Sequence, residues 1–197
     1  MAQSFFSKYK IWIIIAIILI LVFWVIGAYN RFVGLDQNVN AKWSETENQY
    51  QRQADLIPNL VSVVSSAVKV ETNFVKEVVD ARTKWLNSKS LFDKDQAGVQ
   101  MNNGISALVN AIATAENYPV LQANKQYVAL TDELSGTQNR ITVARGRYIE
   151  SIQKYNTAIK RFPGNVFAKV FGFGGKDYYK AELNSLKNPS LGTGVLP

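Results

Sequence analysis

Eighteen consecutive residues, Ile11 to Ala28, carry no charge and no strongly polar side chain. Wound as a helix at 1.5 Å per residue, such a run is about 27 Å long, enough to cross the hydrocarbon of a bilayer. Trp12, Trp24 and Tyr29 lie towards its ends, with Lys8, Lys10 and Arg31 just beyond. Aromatic rings and cations placed this way anchor a spanning helix at both interfaces. A cleaved secretory signal shares the basic start, but its apolar core is shorter and leads to a small-x-small site; here Gly27 and Ala28 meet bulky Tyr29. A retained span over residues 11–29 is expected, after a basic tail over residues 1–10. Lys8 and Lys10 on one side nearly balance Arg31 and Lys42 on the other, so the positive-inside rule leans only slightly to a domain outside the cytoplasm.

The chain has 197 residues, room for this anchor and one compact domain. It contains no His and no Cys. That excludes disulfides, zinc sites of the usual nitrogen and sulfur type, cysteine nucleophiles and histidine bases. No G-x-S-x-G, P-loop or dinucleotide fingerprint is present, so an enzyme is not expected, and no cofactor. Glu45, Glu47, Glu71, Glu77, Asp80 and Glu116 read as surface helix charges, because di-metal bundle sites want Glu-x-x-His pairs.

Beyond a Gly-containing neck, Arg31 to Gln37, apolar positions recur in alternating steps of four and three. Val39, Trp43, Thr46, Tyr50, Gln53, Ile57, Leu60, Val64, Ala67, Glu71, Phe74, Val78, Ala81 and Trp85 form the series, with Val61, Val68 and Val75 widening it to a bundle face. The spacing predicts one very long helix, or two in line. Pro58 should bend or restart it, with Asp55 placed to cap a restart. A second pattern runs through Met101, Ile105, Leu108, Ile112 and Ala115. A third, from about Val120 to Phe162, repeats Tyr127, Leu134, Ile141, Tyr148, Tyr155 and Phe162 every seven residues and stops at Pro163-Gly164. The fold class expected is all-α: a transmembrane helix, then an elongated up-and-down bundle of three long helices and a short C-terminal one.

The net charge of +7 resides in the last third, where Arg140 to Pro197 carries ten Lys or Arg against Glu150, Asp177 and Glu182. There Phe162, Phe167, Phe171, Phe173, Tyr178 and Tyr179 are interleaved with Lys169 and Lys176, around Gly172, Gly174 and Gly175. This mixture suits a membrane interface, a protein groove or closure of the bundle end, and its glycines would permit movement. A second candidate interface is the corner Arg52, Asp55, Pro58 and Asn59. Residues 184–197 are turn-rich and expected to be disordered.

The segment RQADLIPNLVSVV (Arg52 to Val64), preceded by Ala41-Lys42-Trp43, resembles the signature of the LemA family of bacterial membrane proteins. Glu116 to Phe173 is similar to the family's second half, and the likeness extends from Tyr29 to Leu183. Relatives tend to pair two basic residues before Ala-Asp-Leu-Ile-Pro; here the pair is Arg52-Gln53. The resemblance implies a helical bundle over residues 30–183 anchored in the bacterial inner membrane, and it brings no reaction, substrate or cofactor. A scaffold or interaction protein is expected, with the bilayer and either a second copy or another membrane or envelope protein as partners, and no nucleic acid. Binding or shaping of the membrane surface by the basic aromatic segment is the alternative.

Overall fold

The computed structural model describes residues 2–67, 72–114 and 118–177. Six helices follow in order: α1 (Ala2–Ala67), α2 (Thr72–Asn87), α3 (Leu91–Thr114), α4 (Pro119–Gln122), α5 (Lys125–Lys160) and α6 (Gly164–Phe171). No strand occurs among the described residues. Val68, Glu71, Ala115, Glu116, Tyr178, Tyr179 and the tail at 184–197 lie outside them, as do the side chains of Lys8 and Ala67.

α1 has 66 residues, about 100 Å of helix. The apolar run, the neck and the signature segment are one uninterrupted element. The neck stays helical because Phe32 and Leu35 on either side of Gly34 are packed into a core with α5, and burial outweighs the roughly 1 kcal/mol a mid-helix glycine costs.

The restart expected at Pro58 does not occur. Pro58 lies inside α1, and Asp55 accepts a bond from Gln51 Nε2 at 2.8 Å rather than capping a new helix. The bond a proline forfeits would have ended on the carbonyl four residues earlier, that of Ala54. Arg82 Nε of α2 donates to this oxygen at 2.8 Å, so the orphaned acceptor is satisfied from a neighbouring helix.

The same contact corrects the expectation of two helices in line. Ala54 faces Arg82 and the Tyr50 ring lies 6.4 Å from that of Trp85, so α2 runs back along α1. Periodicity reports only which face is apolar. A hairpin with both stripes turned to one core has the same pattern as a straight rod. Ser90 then starts α3: its Oγ accepts from Asp93 N at 3.0 Å and donates to Asp93 Oδ2 at 2.7 Å, a reciprocal cap.

The third predicted helix is also divided. Asn124 separates α4 from α5, its side chain accepting from the amides of Gln126 and Tyr127, the role that makes asparagine a strong N-cap. α5 packs most extensively on α1, and α2 on α3. The pairs Tyr50–Asp95 and Gln53–Asn102 set α3 parallel to α1, whereas Arg52–Glu133 and Arg147–Glu45 set α5 antiparallel to it. Among the described residues the distal half is thus an alternating four-helix bundle, and the half nearer the apolar run contains α1, α5 and α6.

Two cores correspond to these halves. The distal one is mainly aliphatic, with Ile57, Leu60, Met101, Ile105, Leu108 and Leu134 around Tyr50 and Trp85. The basal one is aromatic: Phe32, Trp43, Tyr148 and Tyr155, with Phe167 and Phe173 against them. Pro163-Gly164 ends α5 as expected, and α6 begins at once. Gly164 permits the tight reversal, because a Cβ there would lie 2.4 Å from the Ala158 carbonyl oxygen.

Candidate functional site

The candidate residues fall into three places, beginning with the base of the molecule. The apolar part of α1 is uncovered: its most apolar 18-residue window has mean hydropathy 3.1 and none of it is buried by protein. Trp12 and Trp24 are exposed, as are Lys10, Tyr29 and Arg31. Among the described residues this is the one helix long and apolar enough to cross a membrane. A surface of this kind finds a stable surrounding in lipid, not water.

α6 fastens onto the lower end of that helix. Phe167 packs edge-on against Trp24 with ring centres 5.1 Å apart, and Phe171 against Tyr29 at 5.2 Å. Phe173 reaches both Tyr29 and Phe32, at 5.8 and 5.4 Å. Three of the predicted C-terminal aromatics therefore close the bundle against the anchor.

The movement expected of the glycine-rich stretch is checked by a strap. Asn156 bonds both sides of Lys176, donating to its carbonyl at 2.6 Å and accepting from its amide at 2.9 Å. Tyr155 Oη donates to the Gly174 carbonyl at 2.9 Å. Lys176 itself pairs with Asp36 at 2.8 Å and lies over the Tyr155 ring. Burial, and then the Asp36 charge, push the Tyr155 phenol above its ordinary value.

What remains outward on α6 is Phe162 just before it, 78% exposed, with Val166 and Val170 four residues apart on one face and Lys169 beside them. The aromatic segment thus divides into an inner set that seals and an outer set left free.

The second place is the corner at Arg52. Arg52 pairs with Glu133 of α5 at 2.7 Å, and Arg140 shares that carboxylate at 3.1 Å. Pro58 and Asn59 are exposed. The corner is accounted for by contacts within the bundle: a clamp between α1 and α5, a local Asp55–Gln51 bond and the Ala54–Arg82 bond. Gln53 is fully buried and bonds Asn102 of α3. A cation there would be desolvated without a counter-ion.

The third place was not singled out from the sequence. Asp95 of α3, only 2% exposed, is held bidentately by Arg145 of α5, with Nε at 3.0 Å and Nη2 at 2.8 Å. Tyr50 of α1 approaches the same carboxylate at 3.4 Å. Burial, and next the Asp95 charge, raise the Tyr50 phenol. Lys94 pairs with Glu47 and lies over Trp85. These contacts join α1, α3 and α5 at mid-height. The clue in the sequence is Asp95 three residues before Gly98, with Met101 and Ile105 following on the buried stripe.

Of the six carboxylates considered as a metal set, Glu45 takes Lys42 and Arg147 and Glu47 takes Lys94. Among the described residues no three potential ligands converge. Hydrogen bonds from Lys42 and then Arg147 hold the Glu45 carboxyl below the usual range.

A model of the LemA family matches residues 42–191. Magnetosome protein MamQ 2 and magnetosome protein MamQ 1 of Paramagnetospirillum magneticum are each 25% identical over 175 residues. Magnetosome protein MamQ of Magnetospirillum gryphiswaldense is 24% identical over 174 residues. In each case the match covers 77% of this chain and 64% of the relative, so the chain spans a little under two thirds of those proteins.

Proposed function

The chain belongs to the LemA family, and from that premise we propose that it is a single-pass inner-membrane scaffold, non-catalytic, which presents a rigid helical body at the bilayer for self-association or recruitment of a membrane or envelope partner. The observation that carries this reading is the unbroken course of α1. One helix provides the apolar span and one wall of both cores, so no swivel separates anchor from bundle. Rigid attachment fixes the height and tilt of every lateral face, the condition under which identical weak contacts between neighbours add up to an ordered assembly. The exposed apolar run of α1 supports the membrane setting.

The test is the size and shape of the full-length protein in gentle detergent, by light scattering and electron microscopy of the same peak. A large regular particle is expected. A monomer would sink self-association and leave recruitment of another protein.

A second reading, contact of α6 with the membrane surface, is favoured by the outward set Phe162, Val166 and Val170 beside Lys169. The Trp24–Phe167 contact holds this face level with the end of the apolar run. Because the chain has no cysteine, Val170→Cys carrying an environment-sensitive fluorophore reports on this face alone. Blue-shifted emission in nanodiscs is expected; water-like emission would rule the contact out.

A further inference from the structure

Between α1 and the α5–α6 corner runs an open groove of about 880 Å³. Its chemistry changes along the axis of α1. Its α1 wall passes from Phe23, Trp24 and Gly27 of the apolar run, where Phe167 packs on Trp24, to Arg31, while Lys154, Arg161 and Phe162 line it from the α5–α6 side. Arg31 lies three residues beyond Ala28, where the apolar run ends, about 4.5 Å further along the helix. The groove therefore straddles the level at which hydrocarbon gives way to headgroups.

Its charge is unbalanced. Glu150 also lines it, but this carboxylate is taken by Lys154 at 2.7 Å, and Lys154 draws its carboxyl below the ordinary range. Arg31 and Arg161 are exposed, and among the described residues no carboxylate pairs with either. Gln153 and Thr157 add polar side chains to the lining.

We propose that this groove is a binding site for one anionic phospholipid of the adjoining leaflet. The phosphate sits between Arg31 and Arg161, and an acyl chain runs down over Gly27 between the Phe23 and Phe162 rings, outside the closed Trp24–Phe167 contact. Arginine suits the headgroup because its planar fork meets two phosphate oxygens at once. Gly27 suits the chain because it leaves the wall low: a Cβ built there meets nothing within 4 Å. A protein segment at this depth would fill the apolar half yet leave the two guanidiniums without counter-charge, whereas an acidic lipid satisfies both halves. The site shares only Phe162 with the outward face of α6 and is independent of self-association; it requires only that α1 span the bilayer.

The experiment uses the full chain in phosphatidylcholine nanodiscs doped with spin-labelled phosphatidylglycerol or spin-labelled phosphatidylcholine, reading the motionally restricted fraction of each. The wild type is expected to restrict phosphatidylglycerol preferentially. Arg31→Gln and Arg161→Gln should each reduce the preference roughly five-fold, and Gly27→Leu should abolish the restricted component for both lipids while circular dichroism keeps the helices intact. Equal restriction of the two lipids by the wild type overturns the proposal, as does a preference that survives Gly27→Leu. An equal loss on replacing the α2 cations Lys76 and Lys84 by Gln overturns it too, since diffuse surface charge would then be responsible. Particle size in the same discs separates this proposal from self-association: a monomer with the preference intact removes only the latter, and an oligomer without preference removes only the former.

Discussion

The two halves of the bundle solve one packing problem with different materials. In the distal half four helices share the core, and aliphatic side chains from Ile57 to Leu134 fill it. In the basal half, among the described residues, α1 and α5 have the eight residues of α6 as a third wall, and the space is filled by Phe32, Trp43, Tyr148, Tyr155 and Phe173. An aromatic side chain buries more area per residue than an aliphatic one, so rings substitute for the missing helix. The polar groups divide in the same way. Distally a buried ion pair and amide pairs tie separate helices in register, while basally Asn156 and Tyr155 hold down a single extended strand of chain. Where secondary structure is plentiful, polar contacts select among packings; where it is scarce, they close the end.

The strongest way to break this comparison is Arg145→Ala. It leaves the 2% exposed Asp95 with only the distant Tyr50 hydroxyl, a buried charge without its partner, and should cost about 3–5 kcal/mol in urea denaturation. Asp95→Ala should cost less, about 2 kcal/mol, because Arg145 is 29% exposed and can turn to water. Hydrogen exchange should show the loss in α2 and α3 while amides of the basal α1 and α5 stay protected. Equal loss in both halves would mean that they fold as one unit.

Gly98→Ala comes next. A Cβ there would stand 2.5 Å from the Tyr50 ring, so the ring must move. Overpacking costs about 1–3 kcal/mol, reduced by the roughly 1 kcal/mol that alanine gains in a helix. Tyr50→Leu in the same chain should restore most of the loss in thermal melts, and failure to do so would place the strain elsewhere.

The legibility of the fold follows the same division. Helical class, the anchor and the core stripe could be read because a 3.6-residue period survives any tertiary arrangement: Tyr50, Ile57, Leu60, Met101, Leu108 and Leu134 are all buried as the spacing requires. Chain reversal could not, since the stripe from Val39 to Trp85 is the same for a rod and for a hairpin. Pro58 misled because its remedy, Arg82, is remote in sequence and adjacent only after folding. Asn124 was legible in principle as a capping residue, but the longer repeat of Tyr127 to Phe162 outweighed it. Among site residues, the aromatics near the C-terminus were found by composition, yet their division into sealing and outward sets depends on which ring meets Trp24 or Tyr29. The Asp95–Arg145 pair spans fifty positions; the stripe of Gly98, Met101 and Ile105 hints that Asp95 is buried, but nothing local marks Arg145 as its partner.

Arg82→Ala tests the bond that lets α1 continue through its proline. Loss of the bond to Ala54 O should cost about 1–2 kcal/mol. In a Pro58→Ala background the restored amide satisfies the same oxygen, so the cost should shrink towards zero, a coupling that a double-mutant cycle measures directly. An unchanged cost would assign Arg82 some other role in joining α2 to α1.

The smallest effect at neutral pH is expected for Tyr50→Phe, about 0.5 kcal/mol, because the hydroxyl stands 3.4 Å from Asp95 and forms only a long bond. Its larger consequence lies at alkaline pH. The Tyr50 phenol is raised in the folded chain by burial and then by the Asp95 charge. Stability is therefore unaffected below the unfolded value near about 10 and declines as pH rises above it, since the unfolded chain releases a proton that the folded one retains. Tyr155 at the base is raised by the same two causes, burial and then a carboxylate, here Asp36, so some alkaline slope should persist in Tyr50→Phe. Urea midpoints measured on both sides of pH 10 for the wild type and the variant would show how much of that slope belongs to Tyr50. A variant as alkali-sensitive as the wild type would place the decisive ionisation at Tyr155 of the base or at Tyr127, whose phenol burial also raises, and not in the distal ion-pair network.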